Sequence, residues 1–469
     1  MYGLSCAVIA PLVSTWKSHD STFSMCSTGD SPFGDRGWKL KQLQSVRGMH
    51  DILPDVTPLW QRVEEQLREV LFGYGYQEIR LPIVEATELF RRSIGDVTDI
   101  VEKEMYSFED RNGDGLSLRP EGTAGCVRAG IEHGLLHNQT QRFWYMGPMF
   151  RHERPQKGRY RQFHQLGVEV FGIASPDIEA ELLALTARFW RSLGLSGLRL
   201  EINTLGTPDE RTRYRERLID YFSMHQEALD PESRRRLSEN PLRLLDSKDP
   251  GTARVAADAP LLMGDLGSES TEHFRSLCRH LEILGIDFVH NPRLVRGLDY
   301  YTRTVFEWIT DKMGAQGTVC AGGRYDVLVQ QLGGRATPAI GFAMGLERLV
   351  GLLEVESEWV ASPTLDAYLA IADDADRFQA LALAERLREH APGLRMQVHC
   401  GPGSLKAQLK RADRLGAEWV LIVGSQEQSV GKVQMKRLRE VSSEQRLATE
   451  DEVAETLLAK WIPSNPGVS

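Results

Sequence analysis

From Arg151 to Arg161 the chain reads Arg-His-Glu-Arg-Pro-Gln-Lys-Gly-Arg-Tyr-Arg: four arginines and one lysine against one glutamate, in a protein of net charge −9. The Arg154-Pro155 and Lys157-Gly158 steps mark this stretch as a loop. Guanidinium is a planar fork that fits phosphate oxygens, and attraction to phosphate needs a local patch rather than a basic protein. In the strand that follows, period-two reading puts Leu166, Val168 and Val170 on one face and Arg161, Phe163, Gln165, Gly167 and Glu169 on the other. The first face builds core. The second is polar, and the ring of Phe163 could stack on a base. With Arg151 and Glu153 at the loop's entrance, the pattern points to a nucleotide site on an antiparallel sheet. No P-loop signature and no Gly-x-Gly-x-x-Gly after a strand is present, so the two common phosphate-binding loops are excluded.

Elements on either side must hold that site. Arg142 to Phe150 and Arg161 to Phe171 read as antiparallel strands joined by the basic loop. Thr57-Pro58 predicts an N-cap with proline in the first turn, and Trp60, Val63, Leu67, Val70 and Leu71 repeat at helical spacing until Gly73. A short strand follows from Gln77 to Glu85, with Pro82 at an edge or a break. Asn112-Gly113-Asp114-Gly115 predicts a hairpin between Met105–Asp110 and Leu116–Arg119. Thr207-Pro-Asp-Glu210 is a capping box, and from there to Leu284 the chain is charged and mainly helical, with Phe274, Leu277, Leu281 and Leu284 on one face. Strands resume from Arg293 to Phe342, which predicts a helical insertion, about 206–290, within one sheet-based domain. After a boundary near 355–364, strands at Leu365–Ile371, Met396–Cys400 and Trp419–Val423 alternate with helices near Ala375–His390 and Ser404–Leu415, the pattern of an α/β unit.

At 469 residues, 41% hydrophobic and 26% charged, the chain exceeds one core and predicts two or three globular domains. The six cysteines, Cys6, Cys26, Cys126, Cys278, Cys320 and Cys400, show neither a disulfide framework nor metal-ligand spacing, which fits a reducing cytoplasm. Apolar runs fall well short of the roughly 20 residues of a membrane span. Residues 1–44 lack any helical or strand period; they read as a disordered extension or misplaced start, with a targeting role the lesser alternative. The histidines, including His50, His152 and His164, are left unassigned.

Taken in order, these segments carry a resemblance. Arg151-His-Glu153, the basic loop and Phe163 resemble motif 2 of the class II aminoacyl-tRNA synthetases. Gly341-Phe-Ala-Met-Gly-Leu-Glu-Arg348 resembles motif 3, and the helix from Thr57 with the strand around Pro82 resembles motif 1. Leu294-Val-Arg-Gly-Leu-Asp-Tyr-Tyr301 and Ala321-Gly-Gly-Arg-Tyr-Asp326 are similar to two signatures peculiar to the histidyl-tRNA synthetases, and Arg119-Pro-Glu-Gly-Thr123 fits that family. The resemblance is to the bacterial type and runs from Val46 to Ile462.

What it implies is an α/β (α+β) fold: a class II antiparallel sheet flanked by helices over 45–355, the insertion at 206–290, and a C-terminal α/β anticodon-binding domain at 365–462. It implies a homodimeric, cytoplasmic, AMP-forming ligase with tRNA(His), histidine and ATP as partners, Mg²⁺ on the ATP phosphates, and no metal held by a protein motif. Motif 1 would form the dimer interface. Arg151 and Arg296 would grip the α-phosphate as catalytic residues. Glu153, Phe163 and Arg348 would complete the ATP site, with Phe163 and Arg348 on either side of adenine. Glu121, Thr123 and Gln165 would take the α-amino group of histidine, Glu169 and Tyr301 the two imidazole nitrogens, while Tyr300 and Tyr325 wall the pocket. Two polar partners for one ring reject analogues by roughly 10⁴ or more, so no editing domain is required. Arg154, Gln156, Lys157, Arg159 and Arg161 would lie on or near the loop tip and meet the tRNA acceptor end. Lys406, Lys410 and Arg414, one face of a helix, with Lys432 and Lys436, are candidates for RNA contact in the tail. The alternative is a catalytically silent regulatory subunit of histidine biosynthesis. Such proteins lack the catalytic arginine or the tail, and this chain keeps both.

Overall fold

Pro58 fixes the first turn of helix α1 (Thr57–Gly73), whose buried face is Leu59, Trp60, Val63, Leu67 and Leu71. Thr57 does not cap it as expected: it is already helical, and its hydroxyl donates back to the Leu53 carbonyl at 2.8 Å. The computed structural model describes residues 43–458 apart from 96–97, 99, 157, 248, 297, 299, 357–364, 374–375, 426–428 and 439–444. The expected extension, bar its last two residues, and the 357–364 part of the expected boundary lie outside this range.

The strand expected at 77–85 is two strands, β1 (Gln77–Glu78) and β2 (Val84–Ala86), with Pro82 in the gap. Proline cannot donate to a ladder, so the chain leaves one sheet there and enters another. Helix α2 (Thr87–Ile94) leads to the hairpin of β3 (Tyr106–Glu109) and β4 (Gly115–Leu118). Gly113 takes the left-handed φ of 88° that its turn requires. Helix α3 (Thr123–Glu132) precedes β5 (Gln141–Phe150) and β6 (Gln162–Phe171), which pair antiparallel along their whole length.

Next come α4 (Asp177–Ser192) and β7 (Arg199–Thr204), then the insertion helices α5 (Pro208–Met224), α6 (Pro231–Glu239) and α7 (Pro250–Ala257). The capping box expected at Thr207 is formed, with the Glu210 carboxylate accepting from the Thr207 amide at 2.7 Å. Helix α8 (Ser268–Ile283) and β8 (Phe288–His290) return to the sheet: Phe274, Leu277 and Leu281 join the core under it, and β8 pairs in parallel with β7. The segment expected to be a helical insertion within the sheet-based domain, about 206–290, lends its last helix and strand to the main sheet. Leu284, expected on the buried face of α8, is 51% exposed because the helix has ended.

Strands β9 (Thr302–Ile309) and β10 (Thr318–Arg324), short helix α9 (Leu328–Gln331), β11 (Ala339–Gly345) and α10 (Leu346–Glu356) complete the unit. Its eight-stranded sheet has the order β1-β5-β6-β11-β10-β9-β7-β8. Pairing is antiparallel except at the two edges, β1 with β5 and β7 with β8. Leu166, Val168 and Val170 point into the core with Ile340 and Phe342, against α1, α4 and α8, as alternation predicted. The opposite face is left for the site.

The C-terminal sheet uses β12 (Leu365–Ile371), β13 (Met396–Val398), β14 (Ala417–Val423), β15 (Val433–Arg437) and β16 (Gln445–Ala448), ordered β13-β12-β14-β15-β16. Helices α11 (Arg377–His390), α12 (Leu405–Arg414) and α13 (Glu450–Leu458) accompany it. Its first three strands are parallel, as the alternation of strands and helices requires. Among the described residues no helix is long and apolar enough to cross a membrane.

Candidate active site

The pairing of β6 between β5 and β11 sets the polar face. Register places Phe143 and Gly341 on either side of Glu169, Tyr145 and Ala343 beside Gly167, and Gly147 and Gly345 beside Gln165. Two glycines make room for one ring: a β-carbon at Gly122 or Gly167 would overlap Tyr145. A β-carbon at Gly341 would collide with the Glu169 carboxylate. Small residues on this face are therefore the space in which large polar groups pack.

Above them lies a cavity of about 390 Å³. It is lined by Glu121, Thr123, Tyr145, Arg151, Glu153, Arg159, Phe163, Gln165, Arg296, Tyr300, Tyr301, Tyr325 and Arg348, so every residue expected to bind ATP or histidine, save one, borders a single space. The exception is Glu169, which lies just behind the wall. Its Oε1 accepts from the Thr123 hydroxyl at 2.7 Å and from the Tyr145 hydroxyl at 2.9 Å, and its Oε2 accepts from the Tyr325 hydroxyl. Burial pushes its pKa up to about 8 against those three donors. The Tyr300 and Tyr301 rings stand 4.7 Å apart, and burial raises both hydroxyls.

Glu121 has a local partner set that its sequence did not announce. Its carboxylate accepts from the amides of Thr123 at 2.6 Å and Ala124 at 2.9 Å, at the start of α3. Gln165, which lines the cavity, differs: its side-chain oxygen is buried without a hydrogen-bond partner.

At the other end four guanidiniums converge. Arg151 donates from Nε to the Pro120 carbonyl at 2.9 Å and lies over the Phe163 ring at 5.3 Å. Arg348 donates to the carbonyls of Gly158 at 3.1 Å and Thr318 at 2.6 Å. Burial, with the charges of Arg159 and Arg151, lowers the pKa of Arg348. Arg296 pairs with Glu307 of β9, which also accepts from the Thr318 hydroxyl at 3.0 Å. Burial opposes the charge of Arg296, but Glu307 outweighs it and the pKa is raised. Arg159 pairs with Glu153, which is buried.

The loop therefore divides differently from expectation. Arg154 and Gln156 are exposed, and Lys157 lies outside the described residues. Arg159 turns inward to the cavity, and Arg161 is tied down at the loop base, its Nε donating to the Glu153 carbonyl at 3.1 Å and its amide to the Gly48 carbonyl at 2.7 Å. An antiparallel bridge between Gln156 and Arg159 reverses the chain at this point. In the tail, Lys406, Lys410, Arg414 and Lys432 are exposed and Lys436 is half-buried.

Sequence reasoning missed the residues acting from behind. Tyr145 could have been found by extending β6 alternation to β5. Arg324 could not: its fully buried guanidinium donates to Glu179 at 2.7 Å, to Asp326 at 3.1 Å and to the Ile173 carbonyl at 3.0 Å, while His273 meets the same Glu179 oxygen at 2.6 Å. Burial works against Glu179, but His273 and Arg324 outweigh it and its pKa is lowered. This network anchors the end of β10 one residue before Tyr325. Among the described residues, no group of three His, Cys, Asp or Glu side chains is placed to hold a metal ion.

Comparison with known proteins agrees with this arrangement. The family described as histidyl-tRNA synthetase matches residues 48–349, and the anticodon-binding domain matches 368–460. The histidine–tRNA ligase of Halorhodospira halophila is 60% identical over 413 residues, covering 88% of this chain and 97% of that protein. The apo S. aureus histidyl-tRNA synthetase crystal structure shares 35% identity and a TM-score of 0.74, covering 89% of this chain and 100% of that one. A histidyl-tRNA synthetase from Nostoc, 19% identical with a TM-score of 0.65, covers 90% of this chain and 100% of its own and shares the fold. With the matched segments spanning the strands, loop and signatures that build the cavity, this chain belongs to the histidyl-tRNA synthetase family.

Proposed function

We infer that the protein is a histidine–tRNA ligase that forms histidyl-adenylate and pyrophosphate from histidine and ATP, then transfers histidine to the 3′ end of tRNA(His). The observation that carries this is the union, in one cavity, of polar walls backed by Glu169 with an arginine cluster suited to a triphosphate. A regulatory protein would have no use for the second half. Mg²⁺ enters on the phosphates of ATP, as part of the substrate.

In this reading adenine stacks on Phe163, taking the place above the ring where Arg151 now lies, with Arg348 on its far face. A carboxylate oxygen of histidine attacks the α-phosphorus, the bond to the β-phosphate oxygen breaks, and pyrophosphate leaves. Arg151 and Arg296 meet the negative charge that spreads over the α-phosphate oxygens, and Arg296 exchanges Glu307 for phosphate as ATP arrives. Glu153 with Arg159 borders the same phosphates, which moves Arg159 from the RNA side of the loop to the ATP side.

Gln165 offers its unpartnered oxygen to the α-amino group, with Glu121 and Thr123 beside it. Glu169 reaches the imidazole by releasing one of its hydroxyl donors, and Tyr301 takes the other nitrogen, with Tyr300 and Tyr325 as walls. In the second step the terminal ribose hydroxyl of tRNA attacks the histidyl carbonyl and AMP leaves. Arg154, Gln156 and Lys157 are the loop residues assigned to the acceptor end, Arg161 supports them from the base, and the exposed lysines of α12 belong to the anticodon face. A homodimer joined through α1 and a cytoplasmic location complete the reading.

Charging total tRNA with each amino acid in turn tests the conclusion. Incorporation of histidine alone is expected; charging with another amino acid, or none, would sink it.

A further inference from the structure

Strand β6 pairs with β11 as far as Gln165 and Gly345, where β11 ends and α10 begins at Leu346. His164, one residue nearer the loop, lies beyond that last rung, with Pro148 opposite it on β5. Glu347 of α10 takes the place of the missing strand. Its two carboxylate oxygens accept from the His164 amide at 2.8 and 2.9 Å, and Oε1 stands 3.0 Å from Nδ1 of the imidazole. Facing a carboxylate, Nδ1 is the ring nitrogen that carries the hydrogen and donates it. The Trp60 ring of α1 meets the imidazole edge to face, with centroids 5.3 Å apart. Glu347 lines the catalytic cavity, whereas His164 does not border it. Phe163 precedes His164 and Arg348 follows Glu347, and these two neighbours are assigned to opposite faces of adenine.

We propose that His164 is a positioning residue for ATP: through Glu347 it straps the strand that carries Phe163 to the helix that carries Arg348, and so sets the gap between the two faces that hold the base. A stacked base needs that gap held to within about 0.5 Å. Arg348 donates to the loop at Gly158 and to β10 at Thr318, whereas Glu347 ties the same helical turn to β6. With the backbone amide alone the carboxylate could turn about its bond; the imidazole, braced by Trp60, fixes its plane. An ionised acceptor makes both bonds stronger than neutral ones. The proposal rests on the reading of Phe163 and Arg348 as the adenine site, which Phe163→Ala tests separately.

The experiment compares the unsubstituted protein with His164→Ala, with His164→Asn, whose amide nitrogen stands about where Nδ1 does, and with Glu347→Ala, which removes the strap from the other side. Unlabelled ATP, adenosine and inorganic tripolyphosphate are each titrated against labelled ATP on the enzyme. Because the strap governs the base and not the phosphates, His164→Ala should weaken ATP and adenosine alike by about threefold to tenfold while tripolyphosphate stays within about twofold. His164→Asn should restore most of that loss. Glu347→Ala should repeat the pattern with a larger shift, and it carries the test if His164→Ala does not fold. Equal weakening of adenosine and tripolyphosphate would assign the effect to a general loosening of the site and overturn the proposal. An adenosine shift below about threefold, or a loss that asparagine does not restore, would overturn it too. Phe163→Ala should weaken adenosine by about tenfold. No change there would sink the base-site reading itself, whereas an effect at Phe163 with none at His164 would sink the strap alone. Thermal unfolding of each variant separates loss of fold from loss of binding.

Discussion

At the Glu169 end of the cavity three hydroxyls converge on one buried carboxylate, whereas at the Arg296 end four guanidiniums lean on backbone carbonyls and on Glu307 and Glu153. The first end is organised before any ligand arrives. In the proposed reading the imidazole takes the place of a hydroxyl donor that Glu169 gives up, so a ring that cannot donate there leaves a buried carboxylate short of a partner. The second end holds charges in reserve, with protein carboxylates occupying places that phosphate oxygens can take. Selectivity benefits from rigidity, and transition-state stabilisation from charges that are present but exchangeable.

The largest effect should come from below the amino-acid end. Arg324→Ala leaves the buried Glu179 carboxylate with His273 but without its guanidinium and should cost about 3–5 kcal/mol of stability, read by chemical denaturation; a loss under about 1 kcal/mol would mean that the network does not anchor Tyr325. At the other end, Arg296→Ala should lower histidine-dependent ATP–pyrophosphate exchange by about 10²–10³ with little change in melting temperature, and unchanged exchange would remove Arg296 from the chemistry.

Glu169→Ala should weaken histidine by about tenfold to a hundredfold, because three hydroxyls lose their acceptor. The same residue sets a pH signature. Its folded pKa, about 8, lies above the ordinary carboxylate value of 4.5, so the folded state keeps the extra proton between those values and stability falls as pH rises through that window. Glu169→Gln cannot ionise, and its melting temperature should lack that part of the slope; parallel pH profiles would refute the assignment. The smallest effect should be Arg154→Glu on the exposed part of the loop, raising the KM for tRNA about threefold to tenfold while exchange is nearly unchanged. Equal damage to both would place Arg154 with Arg159 on the ATP side.

Much of this contrast was legible in the chain. Strict alternation in β6 named the core face and the site face because a strand admits only two, and the Arg-Pro and Lys-Gly steps located the loop. The direction in which Arg159 points was not legible, since a loop has no period and the carboxylates that meet it, Glu153 and the distant Glu104, turn it inward only in the folded chain. That α8 packs under the main sheet was not legible for a related reason: its periodicity announces a buried face without saying which neighbour buries it. Pro82 signalled a break but not that two sheets begin on either side of it. Arg324 resembled any motif arginine until α4 and α8 were folded against β10. In the tail, β15, β16 and α13 escaped notice, because β15 and β16 are short strands that alternate weakly.

The division between a selecting end and a reacting end is tested most directly by titration calorimetry of histidine into Arg296→Ala and Glu169→Ala, without ATP. The account predicts that Arg296→Ala binds histidine within about twofold of the unsubstituted protein while Glu169→Ala loses at least about tenfold. Equal loss in the two variants, or a greater loss in Arg296→Ala, would contradict it.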